Sequence, residues 1–233
     1  MSQSGQGTIQ YRDLVSRDDF TRLFAATSTP VILTNAMTQW FAAPDVWRLL
    51  WFREHYGDLQ VEVRMGARGG SRRTRLGDYI DALERGLPID ACGYLAQVPL
   101  ETFPLLKDSV VFPRYSSAKA TSFTFVWMGP IGSKTILHSD LDDNLIAQVV
   151  GRKHYLLYSP ESTSRIPHYQ EESGSYTSIA AWVGPNLPRP SGADYSFVLE
   201  AGQLLYLPPY WWHEVTSTEL AISVNHFWHT PSP

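Results

Sequence analysis

The chain has 233 residues, 43% hydrophobic and 18% charged, a balance usual for a soluble globular protein of one large domain or two small ones. Its formal charge of −4 gives no electrostatic drive toward nucleic acid, so none is expected as a partner. The single cysteine, Cys92, excludes an intramolecular disulfide, and no apolar run approaches the ~20 residues needed to span a bilayer.

Residues 1–9 are polar and Gly-rich and read as a flexible tail without the charged and apolar pattern of a secretion signal. With one cysteine and no membrane segment, a cytoplasmic location is expected. Ser16 fits the cap of a helix over Arg17 to Ala26, with Asp18 and Asp19 in its first turn and Phe20, Leu23 and Phe24 as its apolar stripe. Pro30 to Thr34 reads as a strand. Pro44 fits the first position of a second helix, with Trp47, Leu50 and Trp51 on one face and Gly57 at its stop. Gln60 to Met65 alternates as a strand. Gly66 to Ser71 is a glycine-rich loop that lacks both the strand–helix frame and the Lys-Ser/Thr ending of a phosphate loop. Five arginines (64, 68, 72, 73 and 75) make this stretch basic, and a solvated loop is the simplest reading. Leu76, Tyr79, Ile80 and Leu83 share a helical face that ends at Gly86.

From Cys92 onward the pattern turns to strands. Candidates are Gly93 to Gln97, Ser122 to Met128, Thr135 to His138, Leu145 to Val150, Lys153 to Tyr158, Tyr195 to Glu200, Gln203 to Leu207, His213 to Ser217 and Ala221 to Trp228. Many short strands separated by turn signals imply a mainly β sandwich or barrel. Ser159 to Ala193 is one long irregular stretch, and nothing in the pattern marks a linker or a second domain.

The chemistry concentrates around His138-Ser139-Asp140. Residues two apart on a strand share a face, so His138 and Asp140 can aim at one point. Asp142 and Asp143 compete for the carboxylate role. Tyr210-Trp211-Trp212-His213 offers a third ligand in His213. Two histidines and one carboxylate with positions left open suit non-haem Fe(II). Lys153, between Gly151 and Leu156-Leu157, would be costly to bury unpaired, and a bound carboxylate would neutralise it. Thr135 and Tyr94 can donate hydroxyl hydrogen bonds to the same group.

The segments TILHSD, NLIAQVVGRKHYLLYSP and GQLLYLPPYWWHEV resemble the JmjC (cupin-like) family of Fe(II)- and 2-oxoglutarate-dependent oxygenases. The similarity is closest to its small hydroxylase branch, which includes the asparaginyl hydroxylase of hypoxia-inducible factor, and it runs from about Pro30 to Trp228. It implies a double-stranded β-helix, or jelly roll, with N-terminal helices packed outside. It selects His138, Asp140 and His213 as the metal ligands. It implies Fe(II), 2-oxoglutarate and O2 as cofactor and co-substrates, with succinate and carbon dioxide as products. Tyr94-Leu95-Ala96-Gln97 is similar to the family's Tyr-Leu-x-Gln segment, which supports Tyr94. Asn144 and Asn225 match family asparagines near the co-substrate and the iron. Val224-Asn225-His226-Phe227-Trp228 carries one residue more than the usual Asn-x-Trp, so the register of Asn225 departs from the family.

The resemblance implies a hydroxylase acting on a protein or peptide side chain. A small-molecule hydroxylase, a tRNA-base hydroxylase and a non-catalytic metal-binding cupin are the alternatives, and the intact triad and Lys153 argue against the last. In several relatives a C-terminal helical segment forms the dimer. Only His229 to Pro233 follow Trp228, so a monomer or a different interface is expected. Tyr169, Tyr176 and Trp182 on one side and the Arg64–Arg75 run on the other are the candidate walls of a peptide groove.

Overall fold

Fifteen strands form among the described residues, some alternating apolar and polar residues, as in Gln60–Arg64, and some apolar throughout, as in Leu204–Leu207. In chain order these are β1 (Gln10–Asp13), β2 (Val31–Thr34), β3 (Gln60–Arg64), β4 (Ser71–Arg75), β5 (Leu95–Pro99), β6 (Thr121–Gly129), β7 (Lys134–Ser139) and β8 (Asp143–Val150). They continue with β9 (Lys153–Tyr158), β10 (Tyr169–Glu172), β11 (Ile179–Trp182), β12 (Tyr195–Leu199), β13 (Leu204–Leu207), β14 (Trp212–Ser217) and β15 (Ala221–His229). The structure is a computed structural model that describes residues 7–41, 44–66, 70–166, 190 and 192–229, and the backbone alone of 169–172 and 179–182.

Two sheets face each other. The larger has the order β1-β2-β13-β8-β15-β6-β5, the smaller β12-β9-β14-β7, and neighbours are antiparallel except for β1 with β2. This is the expected jelly roll. Strand period sorts the side chains. On the large sheet Val126, Met128, Leu145, Ala147, Val224 and Trp228 face outward into a cluster with the helices, while Phe125, Ile146 and Phe227 face the space between the sheets.

The outer cluster is where the N-terminal helices pack. Ser16 accepts from the Asp19 amide at 3.2 Å, capping a short α-helix, α1 (Arg17–Phe20), that continues as a π turn over Thr21–Ala25. Phe20 and Phe24 are buried, but Leu23 is exposed, because the buried face here is only one residue wide per turn. The second helix also differs from expectation. Pro44–Trp47 is a 3-10 turn, Arg48 is extended, and α2 starts at Leu49 and ends at Tyr56. Starting the helix five residues later changes its buried face, so Phe52 is buried and Leu50 is exposed. Gly57 has an ordinary right-handed φ of −56°. Its small size, rather than its handedness, is what the site requires: its carbonyl accepts from the Gly77 amide at 2.9 Å, where α2 meets α3 (Leu76–Glu84). In α3 the expected residues Leu76, Tyr79, Ile80 and Leu83 are all buried, and Gly86 follows at φ +67°. A last short helix, α4 (Ile89–Cys92), precedes β5.

Three expectations are corrected. The basic stretch is a β3–β4 hairpin pairing Gln60 with Arg75 and Arg64 with Ser71, not a loop. The stretch 159–193 is not wholly irregular, since it carries a 3-10 turn at Pro160–Arg165 and the β10–β11 hairpin. Within the expected tail, Gly7 donates to the Asp194 carbonyl at 2.8 Å and Ile9 is buried between the sheets, because it closes the open end of the apolar interior. Among the described residues no helix is long and apolar enough to cross a membrane.

Candidate active site

β7 and β14 pair so that His138 lies opposite His213 and Thr135 opposite Val215. Three residues of β7 therefore span what two span on β14, so β7 carries a one-residue bulge. Regular alternation would put Thr135 and His138 on opposite faces. The bulge returns both to the interior, while Lys134 on the outer face pairs with Glu214 at 3.0 Å.

Each histidine is oriented the same way. His138 Nδ1 lies 2.8 Å from the Ile136 carbonyl and His213 Nδ1 3.0 Å from the Trp211 carbonyl. A carbonyl only accepts, so Nδ1 donates on both rings and Nε2 is the atom turned toward Asp140. His138 Nε2 is 3.9 Å and His213 Nε2 3.6 Å from the two carboxylate oxygens of Asp140. The three ligand atoms lie within 4.8 Å of one another. Burial, and secondarily the neighbouring His138, hold the His213 pKa well below its ordinary value, so this ring stays neutral and able to ligate. Asp140 lies just past the end of β7, and its carbonyl accepts from the Tyr210 amide at 2.8 Å, which ties the PPYWWH turn to the β7–β8 connection. Tyr210 holds φ +66° there. The rival carboxylates are engaged elsewhere: Asp142 contacts His229 Nδ1 at 3.1 Å, and Asp143 accepts from Tyr206 Oη at 2.6 Å.

A second polar group occupies the same interior. Lys153 is buried on β9, four residues along from Leu157, the β9 partner of His213, or about 13 Å at strand rise. Its Nζ donates to Ser223 Oγ at 2.6 Å and to Tyr94 Oη at 3.2 Å. Thr135 in turn hydrogen-bonds the Tyr94 hydroxyl, and burial raises the Tyr94 pKa, so the phenol stays protonated. Among the described residues no carboxylate pairs with Lys153, and burial alone lowers its pKa to about 7. Asn144 is buried on the inner face of β8, and among the described residues neither its amide nitrogen nor its oxygen has a partner. Asn225 is buried on the inner face of β15 beside Ile146.

All eight residues singled out from the sequence thus line one interior, the triad toward one end and Lys153, Tyr94 and Thr135 toward the other. Ser223 was missed. It sits two residues before Asn225, and strand alternation alone places both on one face. The side chains of Tyr169, Tyr176 and Trp182 lie outside the described residues. The donor set fits the implied groups: two imidazoles and a carboxylate suit a ferrous ion, and a buried cation with no carboxylate partner among the described residues, together with the Asn144 amide, suits a dicarboxylic co-substrate.

Comparison with known proteins agrees. A family profile described as "Cupin-like domain" matches residues 17–233. The chain is 29% identical over 234 residues to "Lysine-specific demethylase JMJ30" of Arabidopsis thaliana, covering 94% of this chain and 54% of that protein. It is 32% identical over 228 residues to "Lysine-specific demethylase 8" of Danio rerio, covering 91% and 56%. It is 26% identical over 254 residues to "Bifunctional peptidase and (3S)-lysyl hydroxylase JMJD7" of Homo sapiens, covering 90% and 80%. The chain spans about half the length of the first two relatives. A jelly roll whose facing strands bring two histidines and an aspartate together, matched by this profile over nearly its whole length, belongs to the cupin-like JmjC family.

Proposed function

We propose that the chain is an Fe(II)- and 2-oxoglutarate-dependent dioxygenase that hydroxylates a protein or peptide side chain. The observation that carries this reading is the pairing, in one interior, of the His138–Asp140–His213 cluster with a buried Lys153 that meets no carboxylate among the described residues. Bound there, Fe(II) with 2-oxoglutarate and O2 supplies an oxidant for a substrate C–H bond, with succinate and carbon dioxide as by-products.

The chain's own residues position and exclude. His138 and His213 present Nε2, their rings fixed by the Ile136 and Trp211 carbonyls, and Asp140 adds one negative charge. Lys153 receives the remote carboxylate of the co-substrate, with the hydroxyls of Tyr94, Thr135 and Ser223 around it. Burial lowers the Nζ pKa to about 7 in the unliganded protein, and the arriving carboxylate favours its charged form. The Asn144 amide gains the partner it lacks. Tyr155, Leu157 and Leu207 on one side and Phe125, Trp127 and Phe227 on the other keep water out.

A polypeptide substrate is favoured by the names of the relatives, two lysine-specific demethylases and a lysyl hydroxylase. Demethylation uses the same centre on an N-methyl group. The test is succinate formation from 2-oxoglutarate with Fe(II) and no added substrate. Turnover is expected in the natural chain and lost in His138→Ala, Asp140→Ala and His213→Ala, each still folded by circular dichroism. Full turnover in Asp140→Ala at saturating iron refutes the assignment.

A further inference from the structure

Among the described residues Lys153 is the only buried lysine. Its Nζ meets hydroxyls, Ser223 Oγ at 2.6 Å and Tyr94 Oη at 3.2 Å, and lies 5.7 Å from the centroid of the Tyr94 ring. Thr135 hydrogen-bonds the same phenol. Trp127 stands beside this group. It is the β6 residue opposite Ser223, and its ring lies 5.7 Å from that of Tyr94. Its Nε1 is a buried donor without a partner among the described residues.

An amine in this setting differs from a surface lysine. An exposed lysine is almost wholly protonated at neutral pH, with roughly one in 250 as free amine at about pH 8. Burial alone brings the Lys153 pKa down to about 7, so above that pH its free amine dominates. The phenols that share this interior, Tyr94 and Tyr155, have raised pKa values through burial and stay protonated. A desolvated free amine is a nucleophile, whereas an ammonium is not. Carbon dioxide is a small uncharged electrophile, and it crosses an interior walled by Phe125, Leu157 and Phe227 without the cost that a charged reagent meets. A space that seats a carboxylate against Nζ also admits the carbon dioxide from which Nζ can build one.

We propose that Lys153 is a reversible carbon dioxide site, carbamylated on Nζ in the protein without co-substrate. The Nζ lone pair forms a bond to carbon, one C–O π pair moves onto oxygen, and one Nζ proton leaves to solvent. Amine and carbon dioxide thus give a carbamate and a proton, with nothing oxidised or reduced. Ser223 keeps the remaining N–H, and the Tyr94 hydroxyl turns its hydrogen to a carbamate oxygen. The Trp127 indole N–H is a further donor within the same aromatic cluster. Modification replaces a cation by an anion where the remote carboxylate of 2-oxoglutarate binds, so the two exclude each other. Carbon dioxide, a by-product of the proposed reaction, then restrains the enzyme that releases it. That restraint, unlike the modification itself, rests on the reading of Lys153 as a co-substrate residue.

The test is carbon-13 NMR of protein loaded with diamagnetic Zn(II), in labelled bicarbonate at about pH 8. The N-terminal amine, with an ordinary pKa of about 8, also reacts, so the natural chain is compared with K153M. A carbamate resonance absent from K153M is expected, and trapping with triethyloxonium followed by peptide mapping should place the adduct on Lys153. W127F keeps the ring and loses the N–H, and it should lower the carbamate fraction several-fold, with unfolding midpoints confirming that both variants fold. Spectra of the natural chain and K153M that do not differ overturn the proposal, and an undiminished fraction in W127F overturns the part given to the indole. Added 2-oxoglutarate should suppress the resonance. Bicarbonate in place of chloride, at fixed pH and ionic strength, should raise the 2-oxoglutarate requirement for succinate formation several-fold. A carbamate that persists at saturating 2-oxoglutarate overturns the restraint and the co-substrate role of Lys153. Absence of succinate formation by the natural chain, with the carbamate present, overturns the oxygenase reading instead.

Discussion

Lys153→Met separates co-substrate recognition from structural support. Lysine ordinarily titrates near 10.5, and burial brings Lys153 down to about 7. At about 1.4 kcal/mol per pH unit, that gap is on the order of 5 kcal/mol by which the unliganded interior disfavours the charged form. Because the folded pKa lies below the unfolded one, the unfolded chain binds a proton between about pH 7 and 10.5 that the folded chain lacks. Lys153 therefore makes the unliganded protein more stable as pH rises through that window, by up to about 1.4 kcal/mol per unit. Below pH 7 both states are protonated and the full penalty stands. Methionine keeps the volume and removes the charge. It also leaves Ser223 and Tyr94 without their shared donor, a loss of about 1–3 kcal/mol for an unmet buried polar group. Urea unfolding at pH 6 should therefore show Lys153→Met as stable as the natural chain or more so, with a flatter dependence between pH 7 and 10. Calorimetric titration of 2-oxoglutarate into Mn(II)-loaded protein should show affinity reduced by about tenfold to a hundredfold. Unchanged affinity, or an unchanged pH slope of stability, refutes the argument and makes Lys153 a structural residue.

Asn144→Leu removes an amide that has no partner among the described residues, so unliganded stability should rise or hold, within about 1–3 kcal/mol, while 2-oxoglutarate binding weakens in the same titration. Gly151→Ala should destabilise by about 3 kcal/mol or more in urea unfolding, because Gly151 has φ +69° and an added Cβ would collide with the Leu220 carbonyl. Gly129→Ala places a Cβ 2.6 Å from Tyr94 Cδ2 and crowds Ser133 Oγ. It should displace the phenol from Lys153 and raise the 2-oxoglutarate requirement for succinate formation several-fold, with little change in metal binding.

The candidate site residues were legible because they carry short-range signals. His138-Ser139-Asp140 is a two-residue spacing, and Lys153 is a charge inside an apolar strand. The strands from Ser122 to Tyr158 and from Tyr195 onward were legible too, because a period of two is a local property, and these elements begin or end within two residues of those expected, whereas the β10–β11 hairpin was not expected. The early helices were less so. A propensity reading starts a helix at Pro44, yet the extended Arg48 delays it to Leu49, and only packing against the large sheet decides that Phe52 rather than Leu50 is buried.

By itself the sequence determined most of the strand pattern and the candidate ligands His138, Asp140, His213 and Lys153. Tertiary structure alone decided what faces what. The β7 bulge, set by pairing with β14, brings Thr135 to the same side as His138, although their spacing of three would separate them on a regular strand. The partners of Lys153 lie 59 and 70 residues away, and no local pattern encodes such a meeting. The same holds for Arg64, which the sequence shows only as one of five arginines in a basic run. Its backbone bridge to Tyr94 and its contact with an indole face on β6 exist only once distant strands have closed the barrel.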